Sequence, residues 1–381
     1  MNLHQSVKLG NFIEISSGDS PSKYKLDASG LYPFVKVEDL NNCGKYQTSS
    51  RFYTNDKFGL VPKDTIIFPK RGAAILNNKM RLAANPLCMD TNMMGIIVRK
   101  GFDPEYLFYL LFYLKLYKIA DTSTIPQLNN KHILPLKIRL IPLSEQKRIA
   151  TILSTWDQAL EQLRALIGQK ETQLRGLMQR LLKGEVRLPG FEGDWTKATL
   201  GSIGTFYKGK GISKSQKSVD GRTPCVLYGE LYTIYGPVIK EVISRTDLEQ
   251  DELFISEIGD VILPASGETR LDIATASCIM QANVALGSDL NVFRSSIFGP
   301  FLSYHLNEAG KRQIVGLAQG SSVIHLYRSQ LQKVIIQFPD TSEQRAIVEV
   351  LNTASEEIRL LNERLELLEE EKRGLMQRLF G

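Results

Sequence analysis

RGLMQRL stands at residues 175–181 of this 381-residue chain and again at residues 373–379. Sliding the sequence on itself by the same offset extends the match upstream to Ser-Glu-Gln, which begins at Ser144 and again at Ser342. Without a gap, residues 144–181 and 342–379 share 15 identities in 38 positions. The sequence therefore contains the same structural element twice, and the rest of the chain must be organised around the two copies.

The repeated element has the pattern of a coiled-coil helix. Its apolar residues recur at alternating steps of three and four, interrupted only at Lys170 in the first copy and at Lys372 in the second. Ser144 and Ser342 are each followed by Glu, which predicts helix N-caps, and Gly184 is a predicted C-terminal stop. Each predicted helix of about 38 residues is about 57 Å long.

A narrow apolar seam needs a partner helix. We expect the two copies to pair with each other as an antiparallel intramolecular coiled coil, in which Lys170 and Lys372 fix the register. The alternative is that each copy is a separate oligomerisation helix.

Two globular segments alternate with the helices and share a frame. Each has an Asp-led apolar strand that ends at Pro, DTIIFPKRG from Asp64 and DVILPASG from Asp260, followed by a helical segment and a closing β-rich run. The predicted fold class is α+β, with two mixed α/β domains, two long helices and a pseudo-two-fold internal repeat. The predicted division is a first domain at 1–143, a first helix at 144–183, a Gly/Pro-rich hinge at 184–195, a second domain at 196–341 and a second helix at 342–381.

Composition and charge narrow the class of protein. The chain is 43% hydrophobic and 23% charged, which is typical of globular proteins, and its four cysteines lack the CxxC spacing of a zinc site. Its net charge is +6, concentrated in residues 1–143, where 19 Lys and Arg stand against 11 Asp and Glu. Residues 193–341 carry 14 against 15. The longest apolar run, from Leu107, is too short to span a bilayer, so we expect a cytoplasmic protein without a membrane partner.

Several separated motifs together resemble the specificity subunit of Type I restriction-modification systems. They are IPLSEQKRIATIL from Ile141, FPDTSEQRAIVEVL from Phe338, both copies of RGLMQRL, and RLPGFEGDW from Arg187. The resemblance covers essentially the whole chain in the order domain, helix, domain, helix. It implies that two target recognition domains each read one half of an asymmetric, interrupted site in double-stranded DNA. It also implies that the helices act as a spacer and dock two modification subunits, which carry S-adenosylmethionine-dependent methyltransferase activity, while restriction subunits complete the complex.

The sequence offers no catalytic site of its own. Neither an NPPY nor a DPPY methylation motif occurs, and no PD-(D/E)xK nuclease string is present. GTFYKGKG at residues 204–211 has phosphate-loop spacing but places Gly211 where Ser or Thr must hold magnesium. None of the four histidines has a helical i,i+4 partner; they are His4, His132, His305 and His325. We therefore predict a non-catalytic chain without a metal site or cofactor.

Two clusters have the residue types that contact DNA phosphates and base edges. The first follows the strand at 66–68 and consists of Lys70, Arg71, Asn77, Asn78, Lys79 and Arg81. The second lies in a Gly/Ser-rich loop of the other domain and consists of Lys208, Lys210, Lys214, Lys217 and Arg222. Arg270, in the second-domain counterpart of the post-strand loop, is a further candidate. The alternative for any single lysine is a solvated surface residue.

The polar residues of the repeated helices are predicted to dock partner subunits. Two identical subunits need the same surface twice, whereas packing between the helices would not require identical polar residues. The predicted docking residues are Arg148, Arg175, Gln179, Arg180, Arg345, Arg373, Gln377 and Arg378. The runner-up function is a non-catalytic, two-headed scaffold that recognises proteins or peptides through a coiled coil and two divergent heads.

Overall fold

The computed structural model describes residues 6–320 and 322–381. The chain forms two compact units. Unit 1 comprises Met1–Arg164 with Arg364–Gly381, and unit 2 comprises Ala165–Glu363. Each unit therefore holds one globular head together with one stretch of each long helix, and the helices are not separate compact bodies. The predicted five-part division of the chain stays a prediction, and His4 lies outside the described residues.

Within its described residues, from Ser6 onward, unit 1 has eleven short strands and two short helices before the first long helix. The strands are β1 Ser6–Lys8, β2 Ile13–Ser17, β3 Leu26–Asp27, β4 Tyr32–Val35, β5 Tyr46–Gln47, β6 Phe52–Thr54, β7 Ile66–Pro69, β8 Arg81–Ala83, β9 Cys88–Met89, β10 Met93–Val98 and β11 Lys137–Arg139. The helices are α1 Pro104–Leu114, α2 Asn130–Ile133 and the long α3 Leu143–Leu181.

Leaving residue 321 aside, the described part of the head of unit 2 has thirteen strands and six short helices. The strands are β12 Thr196–Thr199, β13 Gly204–Lys208, β14 Lys217–Ser218, β15 Thr223–Val226, β16 Val238–Ile239, β17 Arg245–Thr246, β18 Val261–Pro264, β19 Ser266–Gly267, β20 Ser277–Ile279, β21 Ala285–Leu286, β22 Leu290–Ser295, β23 Ile324–His325 and β24 Ile335–Phe338. The helices are α4 Leu200–Ile203, α5 Glu230–Thr233, α6 Arg270–Ile273, α7 Gly299–Asn307, α8 Lys311–Leu317 and α9 Arg328–Leu331, followed by the long α10 Thr341–Phe380.

The two heads have the same sheet topology. A five-stranded sheet has the order β2-β10-β7-β8-β5 in unit 1 and β13-β22-β18-β20-β16 in unit 2. A four-stranded sheet has the order β3-β6-β4-β9 in unit 1 and β14-β17-β15-β21 in unit 2, and a two-stranded sheet joins the first and last strands of each head. Parallel pairs fall at matching places, β5 with β8 and β16 with β20. The predicted internal repeat is confirmed at the level of strand order.

The long helices pair antiparallel, as predicted. In unit 1, Asp157 of α3 accepts from Lys372, and Arg164, further along α3, bonds the earlier Glu369 of α10. In unit 2, Lys170 bonds Glu357 at 2.7 Å. Both lysines that interrupt the apolar seams thus meet a carboxylate of the opposite helix, which is how a polar seam residue fixes register.

Each head shares its core with the helices. In unit 1, Phe68 and Leu111 belong to the same buried cluster as Leu153 of α3 and Met376 of α10. In unit 2, a cluster around Phe301 includes both long helices, with Leu181, Leu182, Ile347 and Leu351. Burial of this kind stabilises by about 25 cal/mol per Å² of apolar surface, so the seam is held by the heads as well as by the facing helix.

Two local predictions are wrong. Ser144 and Ser342 lie inside their helices, and α10 is capped instead by Asp340, whose carboxylate accepts from the backbone N–H of Glu343 at 3.0 Å. The single helical segment predicted after the apolar strand of the second domain is two helices, α7 and α8, interrupted at residues 308–310. The phosphate-loop spacing at residues 204–211, already rejected for lack of Ser or Thr, falls mainly on a strand, because residues 204–208 form β13.

The predicted hinge is held within unit 2. Arg187 donates to both carboxylate oxygens of Glu343 at 2.6 Å, and Glu343 is fully buried. The same guanidinium donates to the backbone carbonyl of Gly193. Gly184 has φ +70°, a left-handed conformation that suits the residue just after a helix end. A bidentate pair with a buried carboxylate fixes this segment against the start of α10.

No helix among residues 6–320 and 322–381 is long and apolar enough to cross a membrane. Within the same residues, no group of three or more His, Cys, Asp or Glu is placed to hold a metal ion.

Candidate nucleic-acid interface

The first predicted cluster begins at the end of β7 in unit 1. Arg71 is exposed and Lys70 is half-buried. Gly72 follows with φ +91°, a backbone conformation that favours glycine, and no atom lies within 4 Å of where a Cβ would be. Asn77 is exposed after a short 3-10 turn. The residues free to contact a ligand in this segment are therefore Lys70, Arg71 and Asn77.

The remaining members of the first cluster are hydrogen-bonded within unit 1. Asn78 donates to the carbonyl of Phe112 at 3.0 Å, and Lys79 donates to the side chain of Asn41. Arg81 donates to the carbonyls of Met80 and Leu40. These three side chains support the fold of the loop, and their contact with DNA stays a prediction.

The second predicted cluster is exposed in unit 2. All five of its basic residues are at the surface: Lys208, Lys210, Lys214, Lys217 and Arg222. Lys217 differs from the others because its ammonium lies 2.6 Å from the carboxylate of Glu230, which is buried. The hydrogen bond from Lys217 to Glu230 raises the pKa of the lysine. Lys217 is therefore neutralised locally, and the other four carry the free positive charge of this loop.

Arg270 is exposed at the first position of α6. Thr269 caps this helix by accepting from the backbone N–H of Asp272. The structural counterpart of Arg71, however, is Ser266, since each is the second residue after the end of its central strand, β7 or β18, and each pairs with a later segment. Arg270 thus lies four residues beyond the matching position.

The later segments that pair with Arg71 and Ser266 were not predicted from the sequence. In unit 1, Arg71 pairs antiparallel with Gln127, and the backbone N–H of Leu128 donates to the carbonyl of Lys70. In unit 2, Ser266 pairs with His325, and the N–H of Leu326 donates to the carbonyl of Ala265. We name these two-stranded segments ribbon 1 (residues 70–72 with 126–128) and ribbon 2 (residues 265–267 with 324–326). The signal available in the sequence was the match of TIPQL at residue 124 with SVIHL at residue 322.

The polar residues of the repeated heptapeptide lie at the surface in both copies. Every predicted docking residue is exposed: Arg148, Arg175, Gln179, Arg180, Arg345, Arg373, Gln377 and Arg378. Within RGLMQRL, the Leu and Met side chains are half-buried or buried in both copies. Arg345 lies over the ring of Phe298 at 4.4 Å, which fixes its position at the surface.

Buried glutamines join each head to its helix. Gln146, fully buried, accepts from the backbone N–H of Asp103 and donates to the carbonyls of Gly101 and Ile141. Gln344, 2% exposed, accepts from Phe298 N–H at 2.9 Å and donates to the carbonyl of Pro339. The third residue of Ser-Glu-Gln is therefore the one that fixes each head on its helix, because a buried amide must satisfy its hydrogen bonds.

A tyrosine from each head also meets the long helices. Tyr109 donates to Asp157 of α3 and accepts from Lys45 at 3.2 Å. Burial raises the pKa of Tyr109, and the adjacent Asp157 raises it further. Tyr304 donates to Asn352 of α10 at 2.9 Å, and burial raises its pKa as well. Both tyrosines are neutral hydrogen-bond donors to a helix.

Two heads of one topology, each bearing exposed basic and amide side chains and each fixed on paired helices, define a two-headed recognition protein built by internal duplication. The sequence profile described as the Type I restriction modification DNA specificity domain matches residues 2–167 and 192–370. The chain belongs to this family, as its motifs predicted. Its role is DNA sequence specificity, and the scaffold alternative is not favoured.

Individual relatives agree with this assignment. The MjaVIII specificity subunit of a type I restriction enzyme from Methanocaldococcus jannaschii is 24% identical, over 98% of this chain and 91% of that protein. The S subunit of a type I restriction-modification system from M. genitalium has a TM-score of 0.59 at 15% identity, covering 100% of this chain and 97% of that one. A chain solved in work on complex assembly and conformational transition of the type I R-M system has a TM-score of 0.63 at 18% identity, covering 100% and 98%. The structural likenesses bear on the fold alone.

Proposed function

We propose that each unit reads one half of an asymmetric, interrupted DNA site, and that the paired helices set the unread gap. The observation that carries this proposal is that one sheet topology occurs twice with different side chains at matching positions, the exposed Arg71 in unit 1 and the half-buried Ser266 in unit 2. Two heads with the same fold but different side chains at matching positions are suited to a DNA site whose two halves differ in sequence. Phosphate contacts from the lysines position such a protein, while base contacts give its specificity.

The chain acts as a non-catalytic subunit and docks two identical modification subunits on its helices. Support comes from the duplicated heptapeptide, in which the Arg-Gln-Arg side chains are exposed in both copies. A surface presented twice fits a partner that binds twice. S-adenosylmethionine then belongs to the modification subunits, and restriction subunits complete the assembly for cleavage.

Binding to duplex DNA over a range of salt concentrations tests this function against the scaffold alternative. A protein that neutralises six phosphates loses about 10³ in affinity between 50 mM and 200 mM salt. We expect a steep loss of this kind for the full chain with its modification subunit. Absent DNA binding, or affinity that does not respond to salt, would favour the scaffold.

Removing one heptad from each long helix tests the spacer. The deletion shortens each helix by about 10.5 Å, or about three base pairs of B-DNA, while preserving the apolar seam. Both recognised half-sites should persist with a shorter gap between them. An unchanged gap in a folded deletion variant contradicts a spacer role for the helices.

A further inference from the structure

Ribbons 1 and 2 place one pair of side chains at matching positions in the two units. In ribbon 1 the backbone hydrogen bonds join Gly72 N–H to the Pro126 carbonyl and Leu128 N–H to the Lys70 carbonyl, at 2.9 Å each. Arg71 and Gln127 between them are therefore a non-hydrogen-bonded antiparallel pair, with Cα atoms about 4.5 Å apart and side chains on the same face.

Ribbon 2 has the same geometry. Leu326 N–H donates to the Ala265 carbonyl at 3.0 Å, which leaves Ser266 and His325 as the corresponding non-hydrogen-bonded pair. The later strand of each ribbon makes two further backbone hydrogen bonds. They join Asp121 and Gln127 in unit 1, and Gln319 and His325 in unit 2. The scaffold is thus the same, while the side chains it presents differ.

The side chains alternate between the core and solvent. Leu128 and Leu326 are 1% exposed, whereas Gln127 and His325 before them are exposed. The preceding loop in each unit carries an exposed β-branched residue, Ile125 at 56% in unit 1 and Val323 at 51% in unit 2. Each unit therefore has one apolar side chain accessible to solvent beside its polar pair, at the same place in the loop.

The chemistry of the pairs fits base edges. A two-stranded β-ribbon can enter the major groove of B-DNA, where Arg binds guanine O6 and N7, Gln binds adenine N6 and N7, and apolar groups contact the thymine methyl. Ser bonds to several bases, and a neutral His both donates and accepts. Arg with Gln in unit 1 and Ser with His in unit 2 therefore select different bases.

We infer that the Arg71 and Gln127 pair and the Ser266 and His325 pair are the specificity-determining residues of the two units, each contacting bases in the major groove. This inference rests on the proposed DNA function and adds which side chains select the bases. The pairs contribute to one half-site each.

Exchange of the pairs tests the inference. The full chain, purified with its modification subunit, is incubated with a library of random duplexes, and the bound duplexes are sequenced. For the double variant Arg71→Ser with Gln127→His we expect preference at one or two positions of a single half-site to fall by roughly 5- to 150-fold. The reverse variant, Ser266→Arg with His325→Gln, should alter the other half-site only. Asn11→Ala, an exposed amide of unit 1 outside the ribbon, should leave both half-sites unchanged.

The possible outcomes distinguish failure of this inference from failure of the proposed DNA-reading function. A wild-type complex that enriches no motif contradicts the proposed function itself. A wild-type motif that persists unchanged in both exchange variants overturns the inference alone. If both variants unfold at the wild-type temperature yet lose all binding equally on every sequence, the pairs contact phosphates rather than bases, and the inference also fails.

Discussion

The two units differ where a head meets the long helices. In unit 1 the contact is charged, because Tyr109 and Lys372 both bond Asp157. In unit 2 the corresponding tyrosine, Tyr304, bonds the neutral Asn352. The duplicated chain thus keeps the position of the tyrosine while the chemistry around it has diverged. Both units keep a tyrosine hydroxyl that donates a hydrogen bond to a long helix. The charge of the side chain that accepts this hydrogen bond differs between the units.

Loss of the buried glutamines should have the largest effect, and an equal one in both units. Gln146→Ala leaves three backbone groups without a partner, and Gln344→Ala leaves two. We expect each to lower the free energy of unfolding by about 3 kcal/mol in urea denaturation. Gln158→Ala, an exposed residue of α3, is the control and should change it by less than about 0.5 kcal/mol. A large cost in one unit alone would contradict an equivalent role.

Acid should weaken unit 2 selectively. Burial lowers the pKa of His305 to about 4, although its ring nitrogen bonds the Leu182 carbonyl at 3.0 Å. The unfolded state has a histidine pKa near 6.5, so as the pH falls it binds the proton first. Stability is lost between about pH 6.5 and pH 4, by about 3 kcal/mol in total.

The variant His305→Leu places in unit 2 the residue type that follows the tyrosine in unit 1, Leu110. Its urea unfolding should respond less to pH over this window than that of the wild type. Equal responses in the two proteins would show that His305 is not the group that titrates.

Neutralising the charged contact should make unit 1 resemble unit 2. Asp157→Asn keeps the shape of the side chain but leaves the partly buried Lys372 without a carboxylate. We expect a loss of about 2 kcal/mol, discounted because both groups retain some exposure to solvent. Ser355 holds the position of Asp157 in the second copy of the repeat, and its hydroxyl donates to the Leu351 carbonyl. The matched change Ser355→Ala in unit 2 should cost less. If the two substitutions cost the same in urea unfolding, the charge in unit 1 contributes nothing beyond the hydrogen bond.

The smallest effect is expected from Tyr304→Phe. It removes one hydrogen bond between neutral groups while the ring stays packed, at a cost of about 1 kcal/mol. Tyr109→Phe should cost more, because it leaves Asp157 with one donor fewer and Lys45 with one acceptor fewer. The reverse order in thermal unfolding would contradict the distinction between the two contacts.

Much of the fold could be predicted because the long helices carry a strong periodic signal. The heptad pattern predicted the pairing, and Lys170 and Lys372, which were predicted to fix the register, each bond a carboxylate of the opposite helix. The ribbons could not be predicted in this way, since their strands are two or three residues long and join segments more than fifty residues apart. A contact that short leaves no periodicity in the sequence.

For a similar reason, the sequence predicts some of the candidate site residues and not others. Arg71 was predicted because a basic residue follows a clear strand, whereas Gln127 lies in a loop without charge or periodicity. Whether a polar side chain faces solvent or the fold depends on distant partners, as with Arg81, which bonds the Leu40 carbonyl. Composition alone does not distinguish the two. Gln146 was overlooked because Ser-Glu-Gln also fits a helix cap.

The measurement that tests the central claim most directly is a map of methylated adenines across the genome of cells expressing this chain with its modification subunit. Cells expressing that subunit alone are the control. We predict a new asymmetric motif of two short parts separated by a fixed unread gap, present only with this chain. No new methylation, with the chain shown to be soluble and bound to the subunit, would contradict the assignment of two DNA-reading units.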